Sequence, residues 1–267
     1  MIKFFRRIRQ RLLAENRFSK YLLYAIGEII LVVIGILIAL QINTWNEYKQ
    51  NRKLERTFYA DLLEDLANDI RKFEEQTAFY ENRVEQLGWL LQKVRDPQAP
   101  IDADAFGQRV EPLYYSNEAI SYAATYNASE SSGVFSTFTN KELLKKITQY
   151  YANFHLLMEV TASTNEIIVS QFEPLMATIP ENYVSVHSSH YVLNQDSESN
   201  QRFYAFLDSI PDKRTLEVDF RSLVDRPQFE NYVIGDLGRS FNSLSVMAQR
   251  KASAEALIRD IKTYLND

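Results

Sequence analysis

Residues 21 to 42 read YLLYAIGEIILVVIGILIALQI, a run of 22 with Glu28 as its one charge and an unbroken apolar stretch from Ile29 to Leu40. As a helix rising ~1.5 Å per residue it spans ~33 Å, a match to the ~30 Å hydrocarbon core of a bilayer. A basic segment followed by an apolar run also describes a cleaved secretory signal. Small residues, however, do not fill the −3 and −1 positions of any suitable site: Ala39 is followed two residues on by Gln41, and Ile42 by Thr44. The segment is therefore expected to stay as a transmembrane anchor, with the loss of its apolar surface to lipid as the driving force.

Charge is distributed to match. Residues 1–20 carry Lys3, Arg6, Arg7, Arg9, Arg11, Arg17 and Lys20 against Glu15 alone, a net of +6, so the overall −5 leaves −11 for residues 21–267. A largely acidic chain repels a phosphate backbone, which argues against nucleic acid as a partner. The basic cluster adjoins the apolar run, so anionic membrane lipid is its expected partner, contacted by Arg6, Arg7, Arg9 and Arg11 on an amphipathic segment, residues 4–13. Six cations at positions 6–20 outnumber the four (Lys49, Arg52, Lys53, Arg56) at positions 43–57. That excess orients residues 1–20 to the cytoplasm and residues 43–267 to the periplasm of a bacterial inner-membrane protein. Trp45 and Tyr48 are placed to anchor the outer interface, and Tyr21 and Tyr24 the inner one.

Within the span, Glu28, Val32, Gly35, Ala39 and Ile42 share one face by three- and four-residue spacing, and Gly35 with Ala39 forms a small-xxx-small pair. Such a face suits close approach of another helix, from a second copy or another membrane protein. Glu28 is expected to face protein, bind a proton or reach the headgroups, because a charge at the bilayer centre costs ~2.5–3.5 kcal/mol on insertion scales.

Beyond the anchor, only 7 Gly and 7 Pro punctuate 267 residues, which argues against turn-rich β folds. The expected fold is all-α. Tyr59, Leu62, Leu66, Ile70, Phe73, Thr77, Tyr80, Val84, Leu87, Leu91 and Val94 recur every three or four residues, predicting a helix over about 45–95 that ends at Asp96-Pro97. Residues 97–138 read as irregular, with a short helix after Asp102, another around 117–132, and Gly133 as its stop. Thr139-Asn140-Lys141-Glu142 has the form of a capping box, opening a helix over about 140–173 that Pro174 and Pro180 bend or end. A short helix is expected near 199–209. The last long helix opens at Asp225-Arg226-Pro227 and runs through Phe229, Val233, Leu237, Phe241, Leu244, Ala248, Leu257, Ile261 and Leu265, over about 227–265. Each long helix is amphipathic, so an antiparallel bundle, a short coiled coil in effect, is expected to bury the three apolar faces.

Catalytic signatures are sparse. The glycines form no GxGxxG or Walker loop, and the absence of cysteine removes disulfides, thiolate metal sites and cysteine nucleophiles. His187 and His190 lack Asp or Glu at ligand spacing and read as loop histidines, while His155 reads as a bundle or surface residue. Neither GxSxG nor SxxK occurs. Asp61, Glu64, Asp65 and Asp69 read as a solvated helix face, the 16 Tyr and 16 Phe as core, and Asn127-Ala128-Ser129 as a glycosylation sequon without meaning in most bacteria. The sequence points to no catalytic residue, metal or cofactor.

The segment FSKYLLYAIGEIILVVIGILIALQINTWNE, residues 18–47, preceded by MIKFFRRIRQRLLAEN, resembles the start of a family of single-pass membrane proteins of unknown function in Gram-negative bacteria. TYNASESSGVFSTFTNKELLKKITQYY, residues 125–151, is similar to a segment of that family in which a Ser-Gly pair (Ser132-Gly133) precedes a helix led by Asn140 and closed by Tyr150-Tyr151. The resemblance implies membrane placement and a helical exterior domain, and it transfers no catalytic residue. The expected role is a scaffold, adaptor or sensor working through protein contacts, its cytoplasmic segment being too short for enzymatic output. An ion-coupled transport or motor accessory using Glu28 is the alternative, and a membrane-tethered hydrolase a third that no residue pattern supports.

Overall fold

The computed structural model describes residues 18–178, 198, 201–202, 205–206, 209–211, 213 and 219–266. Arg6, Arg7, Arg9 and Arg11 with segment 4–13, Pro180, His187, His190 and much of the 199–209 segment lie outside the described residues, as do the side chains of Tyr21 and Tyr24. No strand occurs among the described residues, so the all-α expectation holds.

Helix α1, Phe18–Arg95, covers 78 residues without a proline and stops one residue before Asp96-Pro97, because a proline disfavours helical geometry in the residue preceding it. Then come α2 (Ala103–Val110), a 3-10 turn (Glu111–Tyr114), α3 (Ala124–Ser131) and a second 3-10 turn (Val134–Thr137). The chain continues through α4 (Lys141–Ala152), α5 (Phe154–Ile167), a π-turn (Ile168–Phe172), α6 (Glu173–Met176), α7 (Phe220–Val224) and α8 (Pro227–Asn266). Asp102 caps α2 by accepting from the Ala105 N–H at 2.9 Å, and Gly133 takes φ of 73° just past α3, the left-handed geometry a glycine stop supplies.

The chain divides into two compact units, Met1–Phe58 with Ser136–Thr139, and Tyr59–Phe135 with Asn140–Asp267. In the first, Glu55 is fully buried and accepts from Thr139 twice, from its N–H at 3.0 Å and its hydroxyl at 2.7 Å. Arg52 donates to the same hydroxyl at 2.7 Å, and the Phe58 and Phe138 rings sit 5.2 Å apart. Thr139 is therefore engaged by α1 side chains and does not cap α4, as the capping-box pattern had suggested. That role falls to Asn140, whose side chain accepts from the Leu143 N–H at 3.0 Å.

In the second unit, Tyr59, Leu66, Phe73, Tyr80 and Leu87 of α1 are buried at intervals of seven, and one turn away Leu62, Asp69, Gln76, Arg83 and Leu90 form a second buried row of the same period. Two rows seven residues apart are the seam of a coiled-coil-like packing. α8 runs against α1, as Tyr59–Tyr264, Glu74–Lys251, Arg83–Asp236 and Arg95–Glu230 pair in descending order. α4 and α5 instead run in the same direction as α1: Tyr59 meets Asn140, Asp69 meets Tyr150, and Tyr80 meets Thr164.

The reverse leg that makes this possible is not a helix. Residues 115–123 have no helical assignment, and the expected helix over 117–132 shortens to Ala124–Ser131. The segment is strapped along α1 through its backbone. Arg83 donates to the carbonyls of Leu113 (3.2 Å) and Tyr115 (2.9 Å), and Gln76 to that of Glu118 (2.8 Å). Asp69 accepts from the Tyr122 N–H (2.8 Å) and Asp65 from the Thr125 N–H (2.9 Å).

The expected single helix over 140–173 is interrupted twice. At Asn153 the carbonyl of Tyr150, which a continuous helix would direct at Phe154, receives Nη1 of the buried Arg250 at 2.7 Å. Near Pro174, which brings no N–H and crowds the preceding turn, the helix widens into the Ile168–Phe172 π-turn. At Gly235 of α8 a Cβ would lie 3.3 Å from both Ile167 Cδ1 and Arg239 Nη1, so these side-chain ends would have to give by a few tenths of an ångström.

Candidate functional site

The residues expected to form the span sit on α1, most of them exposed. From Ile29 to Gln50 every residue is exposed, including Val32 (54%), Ile42 (60%) and Ala39, and a Cβ added at Gly35 would meet no atom within 4 Å. Glu28 is half-buried. The most apolar 18-residue window of the described part of this helix has a mean hydropathy of 2.6 and none of it is buried, so the helix is long and apolar enough to cross a membrane. Trp45 and Tyr48 are exposed beyond the apolar stretch, with the Lys49 ammonium 3.7 Å from the Trp45 ring centroid, a cation–π contact within one turn of helix. The helix thus brings Glu28, Val32, Gly35, Ala39 and Ile42 together as one continuous strip.

The second unit hides its chemistry. Arg83 and Asp236 are buried to 1% and 0% exposure and meet at 2.6 Å; Arg83 Nε adds contacts of 3.0 and 3.2 Å to the two carboxylate oxygens, and the Tyr232 hydroxyl donates to Asp236 at 2.8 Å. Burial works against the Arg83 charge, but Asp236, together with the Tyr232 and Tyr80 hydroxyls, more than compensates and holds the guanidinium above its usual value. Burial and the neighbouring carboxylate push the Tyr232 hydroxyl well up, which keeps it a donor.

A second centre surrounds Asp69, which accepts from the Tyr150 hydroxyl at 2.7 Å while the Arg250 guanidinium stacks 3.9 Å from the Tyr150 ring centroid. Burial raises the Asp69 carboxyl above its ordinary value, opposed by the bonds from Tyr122 and Tyr150 and by the charge of Arg250. Asp69 is therefore not on the solvated face expected for it with Asp61, Glu64 and Asp65; of these, Asp61 and Glu64 are exposed and Asp65 is half-buried.

Sequence reasoning missed Asp69, Gln76, Arg83, Asp236 and Arg250 because it followed apolar residues. On α8 the expected stripe holds at Phe229, Val233, Leu257 and Ile261, which are buried, but fails in the middle, where Phe241 is 58% exposed and Ala248 is exposed while Asp236, Ser240, Ser243 and Arg250 are buried. The signal that could have found the α1 residues is the seven-residue period, which places Glu55, Asp69, Gln76 and Arg83 in register with Leu62 and Leu90.

Arg83, Asp236 and Asp69 are spent on one another, on Tyr232 and Tyr150 and on the strap, a structural arrangement, whereas Nε and Nη2 of the buried Arg250 and Oε1 of Gln76 have no hydrogen-bond partner. His155 is exposed, with Nδ1 2.8 Å from the Ala152 carbonyl oxygen. Among the described residues no group of three His, Cys, Asp or Glu could hold a metal ion. A shallow hollow of about 250 Å³ lies between α4 and the end of α8, where Lys146 bridges Asp260 at 2.8 Å and Glu142 at 3.9 Å. Its charges are paired across it.

Residues 28–167, from Glu28 through the strap to the end of α5, match a family of unknown function (DUF6090). The chain belongs to that family. The matched region is more than half of the 267 residues and contains α1 from Glu28, the strap and the co-directional α4–α5 pair, whereas α8 lies beyond it. No curated protein and no solved structure matches the chain.

Proposed function

We propose that residues 21–42 hold the chain in the bacterial inner membrane as a single-pass anchor, and that residues 43–267 form a periplasmic helical bundle acting as a scaffold, adaptor or sensor through protein contacts. The basic residues 1–20 remain on the cytoplasmic side against anionic lipid. One observation carries the reading: an uninterrupted apolar helical surface is exposed on every side from Ile29 to Leu40, while Tyr59, Leu66, Phe73, Tyr80 and Leu87 of the same helix are buried. Water penalises the first arrangement by ~25 cal/mol per Å² of apolar surface, and a bilayer removes that penalty. The excess of cations before the span supports the orientation.

The test is alkaline extraction of membranes combined with a reporter fused after residue 267. The chain is expected to stay in the pellet, and an enzyme that is active only after export is expected to be active. Release by carbonate, or a fluorescent signal from a reporter that matures only in the cytoplasm, would overturn the anchor or its orientation respectively. Ion coupling through Glu28 is a second reading, favoured by its partial cover among neighbours that are exposed. Under it Glu28→Gln abolishes function while leaving assembly intact; under the first reading the variant keeps both.

A further inference from the structure

The outer surface of α8 differs in kind from that of α1. Between Pro227 and Ser253 none of the exposed positions is charged, whereas charged residues fill most exposed positions of α1 between Ala60 and Glu85. Within the uncharged face, Gly238, Ser245 and Ala252 recur at intervals of seven, interleaved with Ile234 (45% exposed), Phe241 (58%) and Ala248. That is a second heptad seam on the side of α8 facing away from the core, with small residues at one position and Phe241 at the other. We infer that this seam is a homotypic interface, pairing α8 with α8 of a second copy in parallel, in register.

The occupant follows from charge and size. A parallel in-register pair sets each residue opposite itself, so any charge on the seam would face a like charge; a homotypic seam must be neutral, and this one is. The acidic face of α1, with Asp61, Glu64, Glu74 and Glu81, would repel its own copy. Small residues every seventh position let two backbones approach, and the layers between them pair Phe241 with Phe241. From Ile234 to Ala252 the seam is ~27 Å long and one helix is ~10 Å wide, so it offers roughly 270 Å² in projection, short of the ~800 Å² per partner typical of stable association from solution. Two chains held in one bilayer meet at a much higher effective concentration, which favours pairing; in this respect the inference rests on the membrane anchor proposed above.

The chain has no cysteine, so single-cysteine variants of the full-length protein report the contact directly. In membranes under mild oxidation, Gly238→Cys, Ser245→Cys and Ala252→Cys are each expected to form disulfide-linked dimers at least about tenfold above Asp61→Cys, because a bond requires Cβ atoms within ~4.5 Å. A Cβ at position 238 meets no atom of the chain itself within 4 Å. Adding Phe241→Glu to Ser245→Cys is expected to abolish the dimer without moving the thermal unfolding midpoint. Dimers from Ser245→Cys alone, an adduct with a different protein, or no dimer at any of the three overturns the inference. Carbonate extraction of the same samples distinguishes the failures: chains retained in the pellet but not crosslinked refute the seam, and chains released refute the anchor, while the seven-residue crosslinking pattern is read in either fraction.

Discussion

Two stretches of α1 use the same backbone in opposite ways. Between Ile29 and Ile42 the helix turns Ile, Leu and Val outward on every side, and between Glu55 and Leu90 it turns Glu55, Asp69, Gln76 and Arg83 inward. The first stretch satisfies its backbone within the helix and exposes apolar side chains, a combination suited to a bilayer. The second encloses charge, which is tolerable only where each charge has a partner at hydrogen-bonding distance. Exposure follows hydropathy inversely in the first stretch, whereas in the second the buried rows mix apolar and charged side chains.

The contrast is broken most severely at Arg83. Arg83→Ala leaves Asp236 buried and uncompensated and withdraws two donors from the strap carbonyls, so unfolding stability is expected to fall by ~3–5 kcal/mol in denaturant titration. Arg83→Met combined with Asp236→Leu is expected to recover much of that loss; a double variant as weak as the single one would show that the strap contacts, not the charge pair, dominate. In the outward-facing stretch the matching experiment is Val33→Arg. A cation at the centre of the span costs ~2.5–3.5 kcal/mol of insertion, read as a shift of protein from the membrane pellet to the soluble or degraded fraction, with the bundle's stability unchanged.

Smaller effects sharpen the comparison. Asn140→Ala removes the α4 cap and is expected to cost ~1 kcal/mol, whereas Thr139→Ala should act on the Glu55 contact and leave α4 helicity as it was; circular dichroism of the two variants separates these roles. The last prediction concerns pH. Burial raises the Asp69 carboxyl in the folded state, so the folded chain holds that proton more tightly than the unfolded chain. Asp69 therefore contributes most stability below its ordinary value near 3.9, and that contribution is lost as pH rises through the raised folded value. Asp69→Asn cannot titrate. The stability of the wild type relative to Asp69→Asn is expected to decline across that window and to stay level at neutral pH, measured by denaturant midpoints from mildly acidic to neutral conditions.

How far the fold was legible depends on which force set each feature. The end of α1 before Pro97, the Asp102 start of α2, the Gly133 stop and the span of α8 were all readable, because capping and proline or glycine geometry act over a few residues. The stripe on α1 was half right: Tyr59, Leu62, Leu66, Phe73, Tyr80 and Leu87 are buried, but Asp69, Gln76 and Arg83 share that interior. The break at Asn153 carries no proline or glycine. The Tyr150 carbonyl freed there is taken by Arg250, a hundred residues away in sequence, a contact that no local pattern announces.

Local spacing and composition were enough to establish an all-helical chain, the extent of its long helices and one apolar segment suited to a membrane, since turn geometry, helical periodicity and water's exclusion of apolar surface are properties of neighbouring residues. Tertiary contacts alone settled that α4–α5 follow α1 rather than oppose it, that an extended strap makes the return, and that α8 points Phe241 outward and Asp236 inward. Those outcomes depend on which buried donor finds which acceptor across more than thirty residues of chain, and the burial of an unpartnered charge costs enough to override the phase that hydrophobicity would choose.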